Sequence, residues 1–221
     1  MQSASGCRSW QSPSMDNLVV FCADVGSVRS GNFGWACGSP PLGAVQDSDP
    51  SSPAHLAEAV AEQLHQGSPV ALGFECPLFV PVPESAEMLG AARPGEGNRA
   101  WSAGAGTGAL ATGLVQAAWV LSAIHDRYSD VMVHLEWEPF TRAGSGLLVW
   151  EAFVSTTAKG HSHVDDARVA VEAFTRALPD PRTVSMITAE RPLSLAGAAA
   201  IWSGWLDDPH ALHTQTLVVR A

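Results

Sequence analysis

The 221 residues suit one α/β domain or at most two small ones, and an apolar share of 46% permits a sizeable core. No window is expected to supply the roughly 18 apolar residues of a membrane span, and the polar, Ser-rich start lacks the basic opening and apolar centre of a signal peptide. The net charge is −10 and Lys159 is the only lysine, which argues against broad non-specific nucleic-acid binding, because that affinity comes from Lys and Arg neutralising phosphates.

Residues 1–16 are expected to be a flexible tail, and 17–221 a single domain. The four cysteines, Cys7, Cys22, Cys37 and Cys76, show no CxxC spacing. Reduced thiols in a cytoplasmic protein, with no membrane partner, follow as the expectation. The run from Asn17 to Asp24 is near-continuously apolar and predicts a buried strand. After a Gly-containing loop, Phe33 to Cys37 predicts a second strand that forms a hairpin with the first, and Leu42 to Val45 a short third. The stretch following Ser52 places Leu56, Val60 and Leu64 on one helical face, and Gly67 stops it. Val70 to Glu75 is strand-like, with Pro77 ending it.

Residues 81 to 106 form a long Pro/Gly-rich stretch, of a kind that is usually functional or disordered when it occurs inside a compact domain. Thr107 to His125 predicts a long helix with Ala111, Leu114, Val115, Ala118 and Leu121 as its apolar face. Val131 to Leu135 and Leu147 to Val154 predict strands, Val164 to Leu178 a helix, and Val184 to Ile187 another strand. A short apolar helix in LSLAGAAAIWSGW and an extended TLVVRA end complete the chain. Trp35, Trp119 and Trp150 lie in apolar runs and are expected in the core. The pattern of clustered, then alternating, strands and helices predicts a mixed sheet with helices on its faces.

Four acidic positions stand out against this layout. Asp24, Glu75 and Glu151 each close or interrupt an apolar strand-like run, and Asp165-Asp166 opens a helix-like one. Carboxylates at strand ends and a helix start, remote in sequence, can meet at one sheet edge. Such a cluster repels itself unless a cation neutralises it, and hard oxygen ligands suit Mg²⁺ or Mn²⁺. Each acid also has a structural explanation. Asp24 precedes a turn whose backbone N–H groups can satisfy it. Glu75, among apolar residues, can pair with an arginine such as Arg99. Strand alternation can place Glu151 on a solvated face. Ser162 with Asp165 three residues on resembles a capping box.

The order Asp24-x-Gly26, then Phe74-Glu75-Cys76-Pro77-Leu78, then Glu151, then Asp165-Asp166-Ala167 resembles the ribonuclease H-like superfamily. It is most like the uncharacterised predicted nucleases of that group, and more distantly like Holliday-junction resolvases. The resemblance spans about Leu18 to Ala177. It implies a five-stranded mixed sheet, the first three strands antiparallel, flanked by helices. It also implies that Asp24 bridges two metal ions, that Glu75 and Asp165 or Asp166 complete the site, and that Glu151 matches a further acid of the fifth strand. The sequence departs from the pattern in carrying Glu75 where many relatives have Asp, and in its acidic surface.

Several further residues are candidates. The Gly-rich loop from Gly95 to Gly106 precedes the long helix and can cradle a phosphate, with Arg99 binding it bidentately and Trp101 stacking on a base. Lys159 can orient a nucleophile or balance charge. His161 and His163, with Asp165, form a conceivable zinc set, and either histidine a general base. The leading expectation is a two-metal phosphodiesterase whose ions, about 4 Å apart, are held by Asp24, Glu75, Glu151 and Asp165 or Asp166. Arg99 and Lys159 would contact the phosphate of a nucleic-acid or smaller substrate. The rival expectations are an actin-like nucleotide-binding or kinase domain, which shares the Asp-x-Gly turn, and a non-catalytic binding module of the same fold. The sequence is silent on oligomeric state.

Overall fold

The computed structural model describes residue 15 and residues 17–40, 51–97, 100–154 and 160–221. The expected tail, the third strand at Leu42 to Val45, Arg99 and Lys159 lie outside the described residues, apart from Met15 at the end of the tail.

The order of elements is β1 (Val19–Asp24), β2 (Gly34–Gly38), α1 (Pro53–His65), β3 (Val70–Phe74), β4 (Phe79–Pro81), α2 (Ala105–His125), β5 (Val133–His134), α3 (Trp137–Ala143), β6 (Leu147–Phe153), α4 (His163–Arg176), β7 (Pro192–Ser194), α5 (Leu195–Trp202) and β8 (Val218–Arg220). Six strands make one mixed sheet in the order β2-β1-β3-β6-β5, with β8 also on β6. β2 runs antiparallel to β1, whereas β3, β6, β5 and β8 run parallel to their neighbours. β5 pairs with the start of β6 and β8 with its end. β4 and β7 form a separate two-stranded sheet.

The central strands read as continuous apolar runs because both faces of the sheet are covered. On one face Phe21, Ala23, Leu72, Phe74 and Val149 pack with α1, α2 and α5. On the other, Val20, Cys22, Ala71, Leu148 and Trp150 pack with α3 and α4. Alternate residues of one strand thus enter different cores, as the two-residue period of a strand requires. α1 begins where the sequence predicts: Ser52 caps it by accepting from the His55 N–H at 3.3 Å, with Pro53 in the first turn.

Four expectations need correction. The apolar face of α2 is only partly the expected one: Leu121 is buried and Ala118 packs on the core, but Ala111 and Val115 face outward. Gly113, Ala117, Val120, Leu121 and Ile124 are buried, while Val115 is 68% exposed. The helix is apolar on most sides, so hydropathy alone does not choose its face; the close approach at Gly113 helps to set it. A Cβ at Gly113 would lie 2.3 Å from Cys76 Sγ, so only glycine lets α2 approach the end of β3 this closely. Trp119, on the same helix, is 47% exposed, whereas Trp35 and Trp150 are buried.

α2 also overturns the expectation that no segment has the length and apolarity of a membrane span. It has 21 residues and a window of mean hydropathy 1.4. In this fold it packs against α1 and α5. Finally, Val184 to Ile187 forms no strand. Pro181–Val184 is a short 3-10 turn capped by Asp180, which accepts from the Arg182 N–H at 3.1 Å. Three elements had no counterpart in the sequence reading: α3 and the paired strands β4 and β7.

Candidate metal centre

Because β1, β3 and β6 are parallel, their C-terminal ends share one edge of the sheet, the position at which open α/β sheets present ligand sites. Asp24 is the last residue of β1, Glu75 follows the last residue of β3, and Glu151 pairs with Phe74 across the β3–β6 ladder. The Glu75 N–H donates to Ala23 O at 2.8 Å, which fixes Glu75 beside Asp24.

The helix start arrives by a different route. Gly34, opposite Asp24 in the β1–β2 register, is overlaid by the first turn of α4. Ser162 caps that turn, accepting from the Asp165 N–H at 3.1 Å and donating to Asp165 Oδ2 at 2.8 Å. This arrangement separates the two adjacent aspartates. Asp165 faces outward and pairs with Arg168 at 3.0 Å. Its carboxyl is held below the ordinary range chiefly by the Ser162 hydroxyl. Asp166 is 5% exposed and accepts from the Gly160 N–H at 2.6 Å.

Asp24, Glu75 and Asp166 each direct a carboxylate oxygen into a common space, all within 4.8 Å of one another. Among the described residues this is the group of acids and histidines whose geometry could hold a metal ion. His163 Nδ1 meets Asp24 Oδ2 in a short contact. Asp24 and Glu75 line a cleft of about 310 Å³ whose walls also include Cys76, Trp101, His163 and the small residues Gly106 and Gly108 at the start of α2.

The donor set is purely oxygen. Cys22 and Cys76 adjoin the cluster, but burial first, and then the neighbouring carboxylates, push both thiols well above their ordinary pKa. Without an ion both thiols stay protonated, and the converging group itself contains no cysteine. Three carboxylates without thiolate suit Mg²⁺ or Mn²⁺ better than zinc.

Glu151, expected as a further ligand, lines the same cleft but stands outside the group of three, and its oxygens are engaged elsewhere. Its Oε1 accepts from Arg93 Nη2 at 2.6 Å, and its Oε2 from Arg93 Nη1 at 2.8 Å and the Leu78 N–H at 2.9 Å. Asp165 is likewise outside it, acting as the capping partner of Ser162. The conceivable zinc set is not assembled: His161 is exposed, His163 turns to Asp24, and Asp165 turns to Ser162 and Arg168. Trp101 is half-buried in the cleft wall, with its indole N–H donating to Ala91 O at 2.9 Å.

Sequence reasoning missed Arg93 and its partner Glu96. An arginine partner was anticipated for a strand-end glutamate, but for Glu75 rather than Glu151. The available signal was Arg93-Pro-Gly-Glu96, opposite charges three residues apart across a turn.

Compared with protein-family models, curated proteins and solved structures, the chain matches none.

Proposed function

We propose that the protein is a metal-dependent phosphodiester hydrolase of ribonuclease H-like fold, with Asp24, Glu75 and Asp166 holding Mg²⁺ or Mn²⁺. The observation that carries this reading is the convergence of three carboxylate oxygens within 4.8 Å at the C-terminal edge of a parallel set of strands. The donor set fits the ion: it is all oxygen, two of its three residues are buried, and like charges this close favour a cation between them. Glu151, the fourth acid of the expected two-ion arrangement, is engaged by Arg93, so the proposal is for one ion held by the protein alone.

A divalent ion in this position would lower the pKa of a water and polarise a phosphoryl oxygen. The residues of the chain would do the rest. His163 orients the Asp24 carboxylate, and the Gly160 N–H orients that of Asp166. The first turn of α2, which has no side-chain cap, lines the cleft; its dipole favours a phosphate there. Cys76 and the indole of Trp101 restrict the space around it.

With a net charge of −10 there is little electrostatic attraction for a long polyanion. The reading therefore favours a short or small phosphodiester over duplex nucleic acid. The test is Mn²⁺-dependent hydrolysis of bis(4-nitrophenyl) phosphate, alongside DNA, RNA and junction substrates, with Glu75→Gln as the control. Hydrolysis that persists unchanged in that variant would remove the proposed site.

A further inference from the structure

Residues 82–97 contain two buried side chains, and both are charged: Arg93 and Glu96, each 2% exposed. The apolar residues of the same stretch face outward, Met88 at 53% and Leu89 at 66% exposure. A surface segment is ordinarily anchored by apolar burial. Here the anchor is ionic, and its fixed end is Glu151 on β6.

We infer that Glu151 is a positioning residue: with Arg93 and Glu96 it forms a buried ionic strut that holds Arg93, Glu96 and Trp101 in place as one wall of the metal cleft. The inference rests on the proposed function for the ion, but the strut itself does not depend on it.

The connections run without a break from the sheet to the cleft. The Arg93 guanidinium meets Glu151 end-on through two parallel hydrogen bonds, donates from Nη1 to Phe79 O at 3.1 Å, and lies 4.5 Å from the centre of the Phe79 ring. Its Nε donates to Glu96 Oε1 at 2.8 Å. Glu96 Oε2 accepts the Arg93 N–H at 2.7 Å and the Trp101 N–H at 3.3 Å. Trp101 then closes the loop on Ala91 and forms part of the cleft wall. Burial opposes the Arg93 charge, but Glu151 and Glu96 outweigh it and raise its pKa above the ordinary value. Arg93 therefore stays charged, and the lone pairs of Glu151 point at a guanidinium rather than at the ion.

Two alternatives for Glu151 are thereby separated. A metal ligand would lower ion affinity when neutralised. A strut would leave ion affinity intact and release the segment, because breaking one partner of a buried pair leaves the other charge uncompensated.

The experiment compares Glu151→Gln, Glu96→Gln and Asp24→Asn with the wild-type chain. Three quantities are read: Mn²⁺ affinity by calorimetry, amide exchange of residues 86–101, and KM and kcat for bis(4-nitrophenyl) phosphate. In Glu151→Gln, exchange across 86–101 is expected to rise about tenfold or more while the Mn²⁺ Kd stays within about twofold. Glu96→Gln leaves the Arg93–Glu151 pair in place. It keeps the variant set informative should Glu151→Gln not fold. It is expected to raise exchange over 93–101 and to raise KM about threefold with kcat little changed. Asp24→Asn is expected to do the reverse, weakening Mn²⁺ about tenfold or more with exchange of 86–101 unchanged.

If Glu151→Gln weakens Mn²⁺ as much as Asp24→Asn does, Glu151 is a ligand and the inference fails. Unchanged exchange in both glutamate variants overturns it as well. A wild-type chain that binds no Mn²⁺ sinks the proposed function instead, while the exchange data still decide the strut.

Discussion

Gly34 stands directly opposite Asp24 in the β1–β2 ladder, and the first turn of α4 crosses over it. A Cβ at Gly34 would fall 2.5 Å from the Val164 nitrogen and 2.6 Å from the His163 carbonyl carbon. The absence of a side chain there is what lets His163 and Asp166 reach Asp24.

Gly34→Ala is therefore expected to separate α4 from the strand pair. Overpacking of this kind costs about 1–3 kcal/mol, which for a domain of this size lowers Tm by about 2–10 °C. The diagnostic effect is on the ion: Mn²⁺ affinity should fall about tenfold or more, because Asp166 is withdrawn from the other two acids. Calorimetric titration checks this, and an undiminished affinity would show that α4 does not set the site geometry.

Glu75→Gln should stabilise the metal-free protein while abolishing its response to metal. One oxygen from each of three carboxylates lies within 4.8 Å of the others, a spacing at which like charges interact unfavourably. Removing one charge relieves repulsion on the order of 1 kcal/mol or more, so Tm in a chelator should rise by about 2–4 °C. In wild-type protein, Mn²⁺ at a hundred times its Kd should add about 2.7 kcal/mol, and that gain should vanish in the variant. Thermal melts with and without Mn²⁺ read both effects. A variant that melts lower than wild type in chelator would contradict the repulsion argument.

His134 gives stability a dependence on pH that is unrelated to the site. It is 6% exposed, its Nε2 is buried without a hydrogen-bond partner, and its ring stands edge-on to Phe140. Burial holds its pKa below the ordinary 6.5, against a smaller upward pull from the Ser145 backbone. The sign follows from linkage: the unfolded chain takes up a proton near 6.5, and the folded chain resists it to lower pH. The unfolded state thus binds more protons in that window, and stability falls as pH drops below about 6.5. His134→Asn should flatten the melting profile between about pH 7.5 and 5. An equally steep profile in the variant would assign the dependence to another group.

The continuous apolar runs of β1, β3 and β6 were legible because strands buried on both faces carry no polar alternation, and the acids that close them mark where burial ends. The helix after Ser52, the paired β1–β2 hairpin and the apolar α5 were legible for the same local reasons. α2 was legible as a helix but only partly in orientation. Its apolarity on most sides leaves the choice of face partly to Gly113 and to the distant Cys76 it must approach. β5 was legible as part of the strand expected over Val131 to Leu135, whereas the β4–β7 pair, joining residues more than a hundred positions apart, carries almost no local signal.

What the sequence determined by itself, then, is the set of strand-end acids and the strands that deliver them, because apolar periodicity and the charge that interrupts it are local properties. Only the tertiary structure decided the fate of each acid. Asp165 and Asp166 are adjacent and chemically identical, yet the turn of α4 sends one to Ser162 and Arg168 and the other to the cluster. Glu75 and Glu151 both occupy the same sheet edge, yet Arg93, 58 positions before Glu151 in the chain, neutralises Glu151 and leaves Glu75 to the cluster. A carboxylate is a ligand or a salt-bridge partner according to which charge lies within a few ångströms of it, and that distance is set by the packing of remote segments.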